Sequence, residues 1–126
     1  MPLIADRVYD LGLNVLDTEA NAIHICNLEP TTFTQATSTN SLGNAAGGSF
    51  PGIGAPAAGS PNGRQVTVNA VTAGTVTANG TASHYAIVDT VNSRLLAAGT
   101  LSATQAVTSG NTFTLTSFTV RIPAAV

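Results

Sequence analysis

The sequence contains no lysine and no tryptophan, and only 8% of its 126 residues are charged. An ordinary soluble domain carries about 25% charged residues. The cations are four arginines spread along the chain, and the net charge is −2. Because phosphate backbones are bound by clustered positive charge, the sequence excludes a protein that binds nucleic acid through a basic surface.

Cysteine and long apolar runs are also scarce. The single cysteine, Cys26, excludes an intramolecular disulfide and a cysteine-rich zinc site. No apolar stretch approaches the roughly 18 residues of a membrane-spanning helix, and the first ten residues carry early acids where a signal peptide has an apolar core. We therefore expect no membrane partner, and the length predicts one domain over residues 1–126.

Threonine, alanine, glycine and valine dominate the sequence, a composition that favours short strands and tight turns. Apolar and polar residues alternate along much of the chain, and turn formers such as Asn79-Gly80 interrupt them. This pattern predicts a mainly β fold, an antiparallel β-sandwich or a small barrel. Strands are expected at residues 22–26, 65–71, 75–78, 82–89, 94–98 and 112–123, with weaker alternation over 101–108.

Two segments depart from this pattern. Residues 1–20 form an N-terminal segment in which Ile4, Val8 and Leu11 recur at helical spacing, which predicts a short helix near residues 3–11. Residues 40–62 are rich in glycine, alanine and proline and predict an extended loop. This loop is either a surface loop or an arm that becomes ordered on a neighbouring subunit, with Phe50 and Ile53 as its anchors.

The last predicted strand contains a phase slip. Phe113 and Leu115 share one face, whereas Phe118 and Val120 are out of step with them. One extra residue near Ser117 restores the alternation. We therefore predict at Ser117-Phe118 a β-bulge, a bend, or a passage of the strand from one sheet to another.

The ionisable residues do not have the spacing of a catalytic or metal site. Ser83, His84 and Asp89 are close in sequence, but alternation along a strand places the first two on opposite faces. His24 and Cys26 share a face, where a metal ion would need two more ligands. We expect no enzymatic activity, no metal and no cofactor, and we expect a role in binding and assembly instead.

Several stretches of the sequence together match one group of proteins. They are residues 16–21, 23–26, 29–32, 61–68, 89–99, 105–115 and 121–123. These stretches resemble small structural proteins of tailed bacteriophages, and they cover most of the chain outside residues 40–60. The resemblance implies a virion component. Our leading interpretation is a capsid decoration (cement) protein that binds the outer surface of the head and bridges major capsid subunits.

This interpretation carries further expectations. The partners would be the major capsid protein and copies of the chain itself, as a small homo-oligomer with a trimer favoured. The protein would be located on the capsid surface of the virion after assembly in the bacterial cytoplasm. A tail, collar or baseplate component is the alternative. A host-receptor or glycan-binding module is a third hypothesis, although the chain has only two tyrosines and no tryptophan for such a site.

The predicted interface combines the N-terminal segment, the loop and one arginine. Arg64 directly follows the Asn62-Gly63 turn, and its guanidinium is suited to bidentate contacts with an acidic segment of a partner. The residues assigned to the interface are Asp6, Arg7, Asp10, Phe50, Ile53 and Arg64.

Overall fold

A six-stranded antiparallel sheet that curls into half of a barrel, together with a smaller three-stranded sheet, forms the framework of the protein. The computed structural model describes residues 6–59 and 62–123. The predicted mainly β fold class with a short N-terminal helix is confirmed. The elements are α1 (Asp6–Glu19), β1 (Ala22–Cys26), β2 (Ser41–Ala46), β3 (Ala57–Ala58), β4 (Arg64–Val68), β5 (Val71–Val76), β6 (Gly80–Asp89), β7 (Arg94–Val107), β8 (Thr112–Leu115) and β9 (Phe118–Ile122).

One long bent ribbon joins the two sheets. The large sheet has the order β7-β6-β1-β2-β5-β8, and the small sheet has the order β3-β4-β9. Strand β4 pairs with β9 in the small sheet, while their continuations β5 and β8 pair in the large sheet. Both strands of the ribbon therefore change sheets at the same place, at residues 69–70 and 116–117. The predicted passage between sheets at Ser117-Phe118 is confirmed.

The continuous strand predicted over residues 65–71 is wrong, because it breaks at this same bend. Val68 and Val71 are both almost completely buried, with 0% and 1% exposure. Residues three apart fall on opposite faces of a regular strand. The chain therefore has to bend between them to bury both side chains.

The main core lies between the large sheet, the small sheet and α1. Its members are apolar side chains, and a valine, leucine, isoleucine or phenylalanine among them contributes about 1.5–3 kcal/mol when it is fully removed from water. They include Leu13 and Leu16 of α1, Ile23 and Ile25 of β1, Val66 and Val68 of β4, Ile87 of β6, and Phe113 and Leu115 of β8.

Strand β1 is buried on both of its faces. Alternate residues face the main core, while Ala22 and Cys26 face a second apolar cluster on the outer side of the sheet. A helical turn that includes Gln35–Thr39 covers this cluster, and Phe33 and Ala36 pack into it. The strand predicted at residues 22–26 is confirmed at both ends.

Helix α1 is longer than predicted and extends eight residues past residue 11, to Glu19. Gly12 and Asn14 have low helix propensity, and for this reason the predicted helix ended at residue 11. Leu13 and Leu16 are buried, at 2% and 7% exposure, and their packing offsets that cost. Residues 3–5 of the predicted helix lie outside the described residues. Among residues 6–59 and 62–123, no helix has the length and hydropathy needed to cross a bilayer.

The loop predicted over residues 40–62 begins later than expected, because β2 occupies residues 41–46 near the middle of the large sheet. Most residues of this strand are small, and its composition therefore resembles that of a loop. Gly43 lies so close to the backbone of Thr75 in β5 that a β-carbon would collide with it. The segment that follows β2 returns to the main core through Ile53, which bridges to Val68.

The turn predicted at Asn79-Gly80 and the strand end predicted at residue 98 also differ from the structure. Strands β5 and β6, on either side of Asn79-Gly80, are not neighbours in the sheet and form no hairpin. Gly99 does not end a strand, because β7 continues to Val107. The aromatic ring of Tyr85 lies beside Gly99, and a β-carbon there would be 2.9 Å from the Tyr85 hydroxyl oxygen. The absence of a side chain at Gly99 leaves room for the Tyr85 ring across the strands.

Replacing Gly43 with alanine should destabilise the fold. The new methyl group would meet backbone atoms of β5, which cannot rotate away, so we expect Gly43→Ala to lower the free energy of unfolding by about 1–3 kcal/mol. Gly48→Ala is the matched control, because a β-carbon at that position meets nothing within 4 Å. Urea denaturation of the two variants measures the difference, and equal stabilities would contradict the close approach.

Candidate functional site

Helix α1 has one apolar face that is buried and another that is exposed. Leu13 and Leu16 lie in the core, whereas Val8, Leu11 and Val15 are 62%, 54% and 37% exposed. Because these three residues are spaced three and four apart, they form one stripe along the helix, here called the α1 stripe. An exposed apolar stripe of this kind is typical of a helix that packs against a partner.

A bidentate ion pair ties α1 to the small sheet. The Arg64 Nε donates to Oδ1 of Asp10 at 2.8 Å, and its Nη2 donates to Oδ2 at 3.3 Å. Both side chains are only partly exposed, at 21% for Arg64 and 30% for Asp10. The bidentate geometry predicted for Arg64 is thus formed with an acid of its own chain. Whether the two residues also contact a partner stays a prediction.

A second ion pair holds the other end of α1. Nη1 of Arg94, at the start of β7, donates to Oε1 of Glu19 at 3.3 Å. An exposed pair of this kind contributes about 0–1 kcal/mol. The two pairs and the buried leucines together fix the helix, so that the α1 stripe faces outward in one orientation.

The remaining predicted interface residues are placed differently. Ile53 is buried at 8% exposure, and the half-buried Phe50 packs against the same core. Both side chains therefore anchor their segment to the chain's own core, and their role at an interface stays a prediction. Asp6 and Arg7 belong to α1 by their backbone, and their side chains lie outside the described part.

The outer face of the large sheet carries two histidines beside serines. His24 Nδ1 lies 2.8 Å from Ser41 Oγ, and His84 Nδ1 lies 2.8 Å from Ser83 Oγ. The expectation that Ser83 and His84 point apart is wrong. The pairing of β6 with β7 is irregular between Ala82 and His84, and regular alternation does not hold there.

Asp89 is separately engaged in the turn between β6 and β7. Its Oδ2 accepts a hydrogen bond from Asn92 Nδ2 at 2.8 Å, and its Oδ1 accepts one from the Val91 backbone N–H at 3.0 Å. These bonds, led by that from the Asn92 side chain, lower the pKa of Asp89. The carboxylate stabilises the turn, and its hydrogen bonds do not extend to Ser83 or His84.

Burial keeps the two titratable side chains of β1 neutral at pH 7. It lowers the pKa of His24 to about 4 and raises the pKa of Cys26 to about 11. The Cys26 thiol donates to the Ala36 carbonyl oxygen at 3.6 Å. Within the described part of the chain, no three histidine, cysteine, aspartate or glutamate side chains are grouped so that they could hold a metal ion.

The Asp10–Arg64 pair should contribute a measurable coupling energy. In a double-mutant cycle of Asp10→Asn and Arg64→Gln, we expect about 0.5–1 kcal/mol of coupling in the free energy of unfolding. The control cycle is Glu19→Gln with Arg94→Gln, whose longer and more exposed pair should give less. A larger coupling in the control cycle would contradict the ranking of the two contacts.

Protonation of His24 should make the fold sensitive to mild acid. Its pKa is 6.5 when the residue is unrestrained and about 4 in the fold. The unfolded chain therefore binds the extra proton first, and stability falls as the pH drops from about 6.5 to 4, by about 3 kcal/mol in all. Urea denaturation across this range tests the slope. His24→Asn should flatten it, and an unchanged slope in that variant would refute the assignment.

Comparison of the chain with protein-family models, with curated proteins and with solved structures finds no match.

Proposed function

We propose that the chain is a structural protein of a bacteriophage particle, a capsid decoration protein that binds the outer surface of the head. In this role it bridges major capsid subunits and associates with copies of itself. The observation that carries the proposal is the α1 stripe, an apolar surface that the chain's own fold leaves uncovered. The sequence resemblance to phage structural proteins is the reason for assigning this surface to a phage particle.

The way α1 is held supports a binding role for the stripe. The helix is fixed by its buried leucines and by the ion pairs of Asp10 and Glu19. Little conformational entropy is lost when a surface that is already ordered meets its partner. The stripe can therefore bind with most of the free energy that its buried apolar area provides.

The low charge of the chain supports the same role. With 8% charged residues, the surface has little electrostatic repulsion to keep copies apart. In a symmetric shell one weak contact is repeated at every equivalent position, so that modest individual affinities add up. A protein that binds only the assembled shell stabilises it by mass action, by about 2.7 kcal/mol at a free concentration one hundred times Kd.

Cryo-electron microscopy of the particle that contains the chain tests the location directly. We expect density on the outer face of the head, at three-fold or quasi-three-fold positions, with α1 against a capsid subunit or another copy. Density confined to rings on the tail axis would contradict the head location and would support a tail, collar or baseplate component.

Removing the apolar character of the α1 stripe should weaken assembly without unfolding the chain. We expect Val8→Gln, Leu11→Gln and Val15→Gln together to weaken binding to undecorated shells by about tenfold or more. Glutamine keeps helix propensity close to that of leucine. Shell binding is measured by co-sedimentation, and self-association by sedimentation velocity.

The control for this experiment alters exposed apolar residues elsewhere. Leu28 and Val91 are 63% and 82% exposed and lie outside α1, in the loops that follow β1 and β6. The double variant Leu28→Gln, Val91→Gln should bind shells as the unmodified chain does. Equal loss in the control, or full binding by the stripe variant, would count against the α1 stripe as the interface.

A further inference from the structure

The large sheet does not close on itself, and a groove of about 620 Å³ lies at its open seam. Strands β7 and β8 are the two edges of this sheet, and residues 108–111 connect them directly. Near this connection, Gln105 Nε2 bridges the seam by donating to the Thr114 carbonyl oxygen at 3.3 Å. Farther from the connection, the groove runs between β7 on one side and the passage from β8 to β9 on the other.

The β7 wall of the groove is irregular. Its pairing with β6 places Thr100 opposite His84 and Gln105 opposite Ala82. Four residues of β7, 101–104, therefore stand opposite the single residue Ser83. A bulge of this size interrupts the ladder of backbone hydrogen bonds. Bulges of this kind are frequent at barrel rims and beside binding sites.

The opposite wall is irregular too. Residues 116–117 lie between β8 and β9, where the chain leaves the large sheet for the small one. Consecutive residues 114–119 all line the groove, so this wall presents the edge of the backbone and not one face of a strand. Both walls thus offer backbone polar groups that are not arranged as a regular strand edge.

The side chains that line the groove give it a neutral and amphipathic character. Those in the described part of the chain are all uncharged, and most carry a hydroxyl group. The rings of Tyr85 and Phe118 lie together at the groove, with centroids 4.4 Å apart and planes tilted by 44°. The site therefore combines an aromatic surface with neutral hydrogen-bonding groups, as ligand pockets commonly do.

We propose that this groove binds a neutral carbohydrate, a short oligosaccharide. Sugar hydroxyls donate and accept hydrogen bonds, as do the hydroxyls and backbone groups of the walls. The apolar C–H face of a sugar ring packs against an aromatic ring such as Tyr85 or Phe118. The volume falls within the range of about 300–1,000 Å³ that is usual for small-molecule sites.

The lining disfavours other classes of ligand. A wholly apolar ligand would remove backbone polar groups from water without pairing them, which is unfavourable. An anionic ligand would find no positive side chain in the lining described above. An extended peptide needs a regular strand edge for main-chain pairing. Neither wall of the groove offers a regular strand edge.

Nuclear magnetic resonance titration of the full chain with neutral di- and trisaccharides of glucose, galactose, mannose and N-acetylglucosamine tests the proposal. We expect at least one saccharide to shift the amide signals of residues 100–105 and 114–119 in a saturable way. Ala103→Phe, which adds bulk at an exposed position on the β7 wall, should weaken that affinity by about tenfold or more. Ala106→Phe is the matched control, an exposed alanine of the same strand outside the groove, and should change affinity by less than about twofold.

Three results would overturn the proposal. They are the absence of saturable shifts with every saccharide in the panel, equal weakening by both phenylalanine variants, and saturable binding at the groove by uncharged extended peptides alone. The inference is independent of the proposed role in the capsid. The α1 stripe variant should keep its saccharide affinity, so a failure of one proposal is distinguishable from a failure of the other.

Discussion

The bend shared by β4–β5 and β8–β9 is the constraint on which the rest of the structure depends. The two strands pair on both sides of the bend, and both change sheets at the same position along the ribbon. The change falls between Val68 and Val71 on one strand and between Leu115 and Phe118 on the other. Because the strands bend together, the small sheet folds over the large one and closes the main core between them. The bend also sets the surface on which α1 packs and one wall of the groove.

The sequence predicted those parts of the fold whose signal is local. Strand β1 and the break at Ser117 follow from alternation and its interruption. The sequence did not predict three features of the fold: strand β2, the second half of α1, and the continuation of β7 through Gly99. Each of them depends on contacts with residues that are distant in the sequence. Gly43 fits against β5 and Gly99 beside Tyr85, and in each case the small residue reflects a tertiary contact and not a turn.

The candidate surfaces also include features that the sequence predicted and features that it did not. The sequence identified Arg64 as a residue suited to bidentate pairing, but it could not show that Asp10, 54 positions earlier, would be its partner. It showed apolar residues at helical spacing in the N-terminal segment, but not that α1 has two apolar faces with only one buried. The groove has no sequence signal of its own, since its walls are edges of strands that become neighbours only when the large sheet curls.

Cys26 gives the molecule a built-in reporter of its own motions. The thiol is completely shielded, and its pKa of about 11 leaves very little reactive thiolate at neutral pH. The helical turn that carries Ala36 has to lift away before an alkylating reagent can reach the sulfur. The rate of modification therefore reports how often the outer layer detaches from the sheet. With a single cysteine in the chain, each such event adds one mass increment per molecule.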